Sequence, residues 1–234
     1  MEEQTIDKCL YSIVHQDFVS TEYEIILSDA MSSDKTVEIA RRYAANIVQT
    51  AKRGISIGRN NGAKQAKGDI LLFIDADCHL KSDFLSNMDK AFNSSEIVTG
   101  TGLAYPDDGS FIARFVYLVT FILVRLFGFF GLYLFPGVCV AYRRWAFENL
   151  NGFREDFGIV EDLDLSKRIS KIGKCRIVPE AKVYVSTRRL KKHLWSTVFF
   201  HIYSDIKYLL TGKATSHYPK VEEIKSWKDL WQQK

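Results

Sequence analysis

The chain has 234 residues, 47% hydrophobic and 26% charged, a composition that fits one large globular domain and excludes a fibrous or disordered protein. A formal net charge of +4, with basic residues clustered only late in the chain, is too weak to support nucleic-acid binding. The four cysteines, Cys9, Cys78, Cys139 and Cys175, show no CxxC spacing and follow no secretory signal, which argues against a zinc site and fits reduced thiols in a cytoplasmic setting.

Residues 3–16 place Ile6, Leu10, Ile13 and Val14 at helical spacing, so the chain opens on an amphipathic helix. YEIILSD (23–29) reads as a strand ending at Asp29, and SSDKTVEIARRYAA as a helix capped by Ser32, Ser33 or Asp34. NIVQT (46–50) is a short strand, SIGRNNGAKQAKGD (56–69) a small-residue helix ending near Gly68, and DILLFIDAD an apolar strand. Alternating helices and strands, with strands apolar on both faces, predict an α/β layer fold with a mostly parallel sheet flanked by helices. In such sheets ligands gather at the carboxyl ends of strands, where Asp29 and the Asp75/Asp77 pair fall.

Two carboxylates one residue apart at the end of a buried strand repel each other unless a cation or a set of donors compensates. A hard divalent ion is one solution, since Mg²⁺ or Mn²⁺ is held by one or two carboxylates with phosphates and waters. The plain alternative makes Asp77 a turn or N-cap residue. A DxD alone does not choose between them.

The order of motifs is more specific. SDAMSSDKT (28–36), IGRNNGAKQAKGD (57–69), the strand ending in DAD, and GFREDFGIVEDLDLSKRISKIGK (152–174) follow one another in a pattern that resembles the family 2 glycosyltransferases, enzymes of GT-A fold that use nucleotide sugars. The resemblance covers residues 2 to about 190. It implies that Asp29 binds the base or ribose and that Arg59 faces the nucleotide, with Asn60 and Gly62 shaping a tight helix start. Asp75 would contact ribose or metal, and Asp77 would be the main ligand of Mn²⁺ or Mg²⁺ at the diphosphate. Asp162 would be the general base and Glu161 its neighbour in the catalytic pair. Donors of the UDP or GDP type and a saccharide or polyprenyl-linked acceptor are implied, with inversion at the anomeric carbon.

Departures from the family carry expectations of their own. The family opens with a central strand of the type V-S-V-I-I-P-x-Y-N-E-E, and here Met1-Glu2-Glu3 aligns with the end of that motif. The sheet is therefore expected to lack its first strand and residues 1–110 to form an incomplete nucleotide-sugar-binding half; translation starting upstream is the favoured explanation, because losing a central strand exposes two edges. Ala30 and Met31 replace a common acid and glycine. Arg188 and Arg189, in STRRLKKHLW, resemble only loosely the arginine element of processive members and either contact the diphosphate or are surface charges.

Residues 111–234 would form the acceptor half of the same structural domain. FVYLVTFILVRLFGFFGLYLF (115–135) is apolar enough to span a bilayer with only Arg125 charged. Asp77 precedes it and Asp162 follows it, so a single crossing would separate two residues expected in one site. Gly128 and Gly131 predict two short pieces, packed in the protein, dipping into an interface or lining the acceptor cleft. LWSTVFFHIYSDIKYLL (194–210), behind Arg188, Arg189, Lys191 and Lys192, reads as an interfacial helix on anionic lipid or as a packed terminal helix. The combined expectation is a peripheral enzyme on the inner face of the cell membrane. The competing reading is a membrane-surface scaffold of GT-A shape without turnover.

Overall fold

The computed structural model describes residues 2–19 and 22–214, the side chains of residues 189–197 excepted. In chain order the elements are α1 (Ile6–Val14), β1 (Ile26–Asp29), α2 (Thr36–Arg41), β2 (Asn46–Gln49), α3 (Ile55–Gln65), β3 (Ile70–Ile74), β4 (Cys78–Leu80) and α4 (Phe84–Ala91). Then follow β5 (Ile97–Pro106), α5 (Phe111–Phe129), β6 (Cys139–Arg143), α6 (Arg144–Asn149), α7 (Glu161–Ile169), β7 (Lys174–Val185) and α8 (Arg188–Thr211). The expected α/β layering is present.

Five strands form one sheet in the order β3-β6-β5-β7-β4, and β1 and β2 form a separate parallel pair. In the larger sheet only β5 and β7 run parallel; β3 with β6, β5 with β6, and β4 with β7 are antiparallel. The polarity is thus mixed rather than mostly parallel. Strands buried on both faces read alike in either polarity, and the reversals come from β6, which returns between β3 and β5 after α5, and from β4, which runs against β7.

Alternation along β6 shows how the sheet builds two cores. Cys139 and Ala141 face α4, where Phe84, Met88 and Phe92 pack. Val140 and Tyr142 face the opposite layer with Phe147, Phe153, Leu165 and Ile169. There Phe73, Tyr142, Phe147 and Phe153 meet with ring centroids 5.1–6.1 Å apart, in tilted or edge-on pairings that aromatic quadrupoles favour.

The β1–β2 pair is joined to the larger sheet through helices. Ile6 and Leu10 of α1 bury against Ala40 of α2, while Ile13 reaches both this cluster and the larger core. At β1, a Cβ on Gly62 would stand 3.4 Å from Ser28 Cβ, so a small residue keeps α3 close. Glu24 Oε1 accepts from the Lys67 and Gly68 amides, tying the chain before β1 to the entry of β3. Among the described residues no strand pairs between β1 and β3.

Two apolar segments differ from expectation. Residues 111–129 form one continuous helix, α5, rather than two pieces. Gly128 stays helical, and Gly131, at φ +77°, makes the turn beyond the helix end. In α8, Phe200, Ser204 and Tyr208, four residues apart, are buried, so this helix is packed on the protein along one face. Ile202, Ile206 and Leu210 remain exposed on another.

Candidate active site

The two carboxylates after β3 leave the sheet in a tight turn. Asp75 N–H donates to Val138 O (3.1 Å), Cys78 N–H donates to Asp75 O (3.0 Å), and Ser186 N–H donates to Asp77 O (2.9 Å). The backbone is therefore fixed on three sides. The Asp75 side chain is 41% exposed, open enough to meet a ligand. The charge of the pair reaches its surroundings: burial first, then Asp77 and Asp75, push the Cys9 thiol up to about 12. Burial, then Cys78 and Asp77, also raise the Tyr117 phenol, which α5 brings in from the side.

Arg59 connects this turn to the start of α7. Its Nη2 donates to Asp75 Oδ1 and to Gly137 O, both at 2.9 Å, and its Nη1 donates to Glu161 Oε1 at 2.9 Å. The guanidinium also lies 5.4 Å from the centre of the Phe153 ring. Burial works against its charge, but Asp75, Glu161 and Asp162 outweigh burial and hold it protonated. Three predicted residues, Arg59, Asp75 and Glu161, thus meet directly, and Arg59 is committed to carboxylates of its own chain.

Asp162 is fixed by two amides. Its Oδ2 accepts from Gly137 N–H at 2.5 Å and its Oδ1 from Leu163 N–H at 2.8 Å. A Cβ on Gly137 would stand 2.9 Å from both Arg59 Nη1 and Asp162 Oδ2, so only glycine serves both partners here. Val160, at the N-terminal boundary of α7, sits at φ +67°, a left-handed conformation that is strained for a β-branched residue and costs about 1–3 kcal/mol. That bend aims Glu161 and Asp162 toward Arg59 and Gly137. Burial, then the charge of Asp162, push the Glu161 carboxyl up to about 7 against the pull of Arg59. Asp205 of α8 is pushed up to about 7 by burial and by Asp162.

The remaining predicted residues are placed apart from this cluster. Asp29 is buried at the end of β1, its carboxylate accepting from Ser32 N–H (3.1 and 3.3 Å) and weakly from Gln49 Nε2 (3.4 Å). Arg188 pairs with Glu2 at 2.6 Å. The Arg189 side chain, like those of Lys191 and Lys192, lies outside the described residues. Asn60 and Gly62 do not shape a helix start, because α3 begins five residues before Asn60. Instead Asn60 grips the backbone of Phe153, donating to its O (2.9 Å) and accepting from its N–H (3.0 Å).

Sequence reasoning missed Gly137, Val160, Tyr117 and Asp205. The Pro-Gly pair at 136–137 was a visible signal of a turn; the others carry no local signature. Among the described residues no three His, Cys, Asp or Glu side chains converge as metal ligands. Asp75 and Asp77 are instead two hard oxygen donors at one turn, a donor set that fits Mg²⁺ or Mn²⁺ completed by phosphate oxygens and water.

Comparison with known proteins bears on this geometry. The model of the family described as Glycosyl transferase family 2 matches residues 1–150. The glycosyltransferase AglE of Haloferax volcanii is 28% identical over 129 residues, 49% of this chain and 40% of that protein. The poly(ribitol-phosphate) beta-glucosyltransferase of Bacillus spizizenii is 34% identical over 108 residues, 42% of this chain and 17% of that protein. The chain therefore spans less than half the length of these curated relatives. Among solved structures, the mannosyltransferase PcManGT of Pyrobaculum calidifontis, in complex with GDP-Man and Mn²⁺, superposes with a TM-score of 0.73 at 22% identity, over 92% of this chain and 64% of that one. TarS 1-349 of Staphylococcus aureus gives 0.64 at 19% identity, over 88% and 62%. Such distant likeness shows the GT-A fold, and the family model spanning residues 1–150 shows the kinship: this chain belongs to glycosyl transferase family 2.

Proposed function

We propose that the chain transfers a sugar from a nucleoside-diphosphate sugar to an acceptor hydroxyl with inversion, on the cytoplasmic side of the cell. The observation that carries this reading is the junction at Arg59 and Gly137. Through it the carboxylates at the end of β3 and the acid pair opening α7 share one site.

Asp77 and Asp75 would hold Mn²⁺ or Mg²⁺, which when bound neutralises the charge of the departing diphosphate. Asp162, held by the Gly137 and Leu163 amides, takes the proton of the acceptor hydroxyl as its oxygen bonds to the anomeric carbon. The bond from that carbon to the diphosphate oxygen breaks, its electron pair leaving with the nucleoside diphosphate. Glu161 and Arg59 set the charge and position of Asp162 and Asp75. Asp29 is proposed for the base or ribose, and Arg188 and Arg189 for the diphosphate, which requires Arg188 to exchange Glu2 for the nucleotide.

PcManGT, solved with GDP-Man and Mn²⁺, and TarS, solved with UDP-GlcNAc, support a GDP- or UDP-linked donor. A methanogen relative whose name describes transfer to a dolichyl-linked sugar phosphate supports a saccharide or polyprenyl-linked acceptor. A second reading, a scaffold without turnover, is favoured by the open edges of β1 and β3 alone. Calorimetry with UDP and GDP in the presence of Mn²⁺ or Mg²⁺ tests both. Binding that a chelator abolishes and Asp77→Asn weakens supports the enzyme; affinity indifferent to both removes the metal assignment.

A further inference from the structure

α5 has an outer face that ordinary globular packing does not explain. Phe111, Phe115, Leu118, Ile122, Leu126 and Phe129 recur at spacings of three and four, and all are exposed. Ile112, Val119 and Leu123 widen the same stripe. Phe111 and Phe129, at its two ends, retain 81% and 84% of their surface. The opposite face, with Ala113, Tyr117 and Val124, is the one that packs inward. The polarity is therefore inverted: the face turned to solvent is the more apolar one. A contiguous apolar patch of this size marks a surface made for a partner.

Charge identifies the partner. α5 carries no Asp or Glu, and its two charges, Arg114 and Arg125, fall together along one border of the stripe. An apolar stripe edged by arginines matches the acyl and headgroup layers of an anionic bilayer. A second copy of the chain fits poorly, because the two arginines lie almost symmetrically about Thr120. Antiparallel packing of two α5 stripes would bring Arg114 of each near Arg125 of the other, and parallel packing would align like with like. α5 is long and apolar enough to span a membrane, but with its inner face packed on the protein it can only lie flat.

We propose that α5 is the membrane-binding element of this protein, inserting its outer stripe into the interface of an anionic bilayer with Arg114 and Arg125 at the headgroups. Of the two segments for which the sequence offered an interfacial reading, this assigns the lipid contact to α5. Resting on the reading above, it also favours an acceptor presented at the membrane: Tyr117, on the inner face of α5, packs against the core cluster that holds Cys78, the residue after Asp77.

Flotation of the full chain, without nucleotide sugar, tests the proposal independently of activity. Vesicles of phosphatidylcholine alone are compared with vesicles that also contain phosphatidylglycerol. The wild type is expected to float with the anionic vesicles. L118E/I122E should lose that binding about a hundredfold or more while keeping its circular dichroism and denaturation midpoint, since both positions are exposed. R114Q/R125Q should lose about tenfold in preference for anionic over neutral vesicles. Wild type that stays behind with both vesicle types, or that self-associates through α5 to a dimer disrupted by L118E/I122E, overturns the proposal. So does L118E/I122E floating like wild type with its fold intact.

Discussion

α5 and α7 invert what their compositions lead one to expect. α7 opens with three acids, Glu161, Asp162 and Asp164, and buries two of them together with Leu163, Leu165, Ser166 and Ile169. α5 is overwhelmingly apolar and, among its 19 residues, buries only Ala113 and Val124. A buried acid needs partners, and α7 has them: Arg59 for Glu161, and Arg168 (2.7 Å) with the Tyr208 hydroxyl (3.0 Å) for Asp164. An exposed apolar face needs a partner too, and among the described residues none covers it. In one helix the compensation comes from neighbouring side chains; in the other, on the proposal above, it comes from lipid.

Removing the compensation in α7 and at the neighbouring turn should have the larger effects. Asp162→Asn is expected to lower sugar transfer by about 10²–10⁴-fold, the usual contribution of a general base, with nucleotide affinity by calorimetry unchanged. Transfer at the wild-type rate would remove Asp162 from the proposed chemistry. Arg59→Met should destabilise the fold by about 3–5 kcal/mol in urea titration, because it strands the buried Glu161 carboxylate. Adding Glu161→Gln should restore much of that loss, and no restoration would mean the ion pair is not its source. Gly137→Ala should disturb Arg59 and Asp162 together, so its cost in transfer should not add to that of Asp162→Asn.

Smaller effects follow from single bonds and from titration. Tyr208→Phe removes the hydroxyl donor to Asp164 and should cost about 1.5–3 kcal/mol, as hydrogen bonds to charged groups do; a midpoint equal to wild type would make that bond incidental. Glu161 and Asp205 are both raised to about 7, so the folded chain holds these protons more tightly than the unfolded one. Their contribution to stability is full at acid pH, below the ordinary carboxylate range, and is lost as pH rises through about 7. Midpoints measured from pH 5 to pH 8 should show that part of the decline diminish in Glu161→Gln and Asp205→Asn.

Much of the α/β order was legible because each early element carries its own period. The cap was not: the N-cap position of α2 falls at Lys35 with no side-chain cap, and Asp34, one residue earlier, accepts from the N–H of Thr36, the first residue of the helix. The polarity of the larger sheet was not legible, since Ile70–Ile74 would be buried beside a parallel or an antiparallel neighbour. At the candidate site, motif order singled out Asp75, Glu161 and Asp162, and the fold brings these three together through Arg59 and Gly137. Motif order could not see that Arg59 is spent on two of those acids, nor that Gly137 offers its amide to a third, because these bonds join residues up to 102 and 25 positions apart. The apolar segment was visible, but its hydrophobicity says nothing about which face the fold turns outward.

The Arg59–Glu161 contact spans 102 residues and the Asn60–Phe153 clamp spans 93. During synthesis, α5 therefore leaves the ribosome before the segment that completes either contact has emerged. For that interval the nascent chain presents an apolar stripe while its central core is still open, the condition under which chains aggregate. Translation near a membrane would let lipid shelter α5 before the site closes, so where this protein is made bears on how much of it folds.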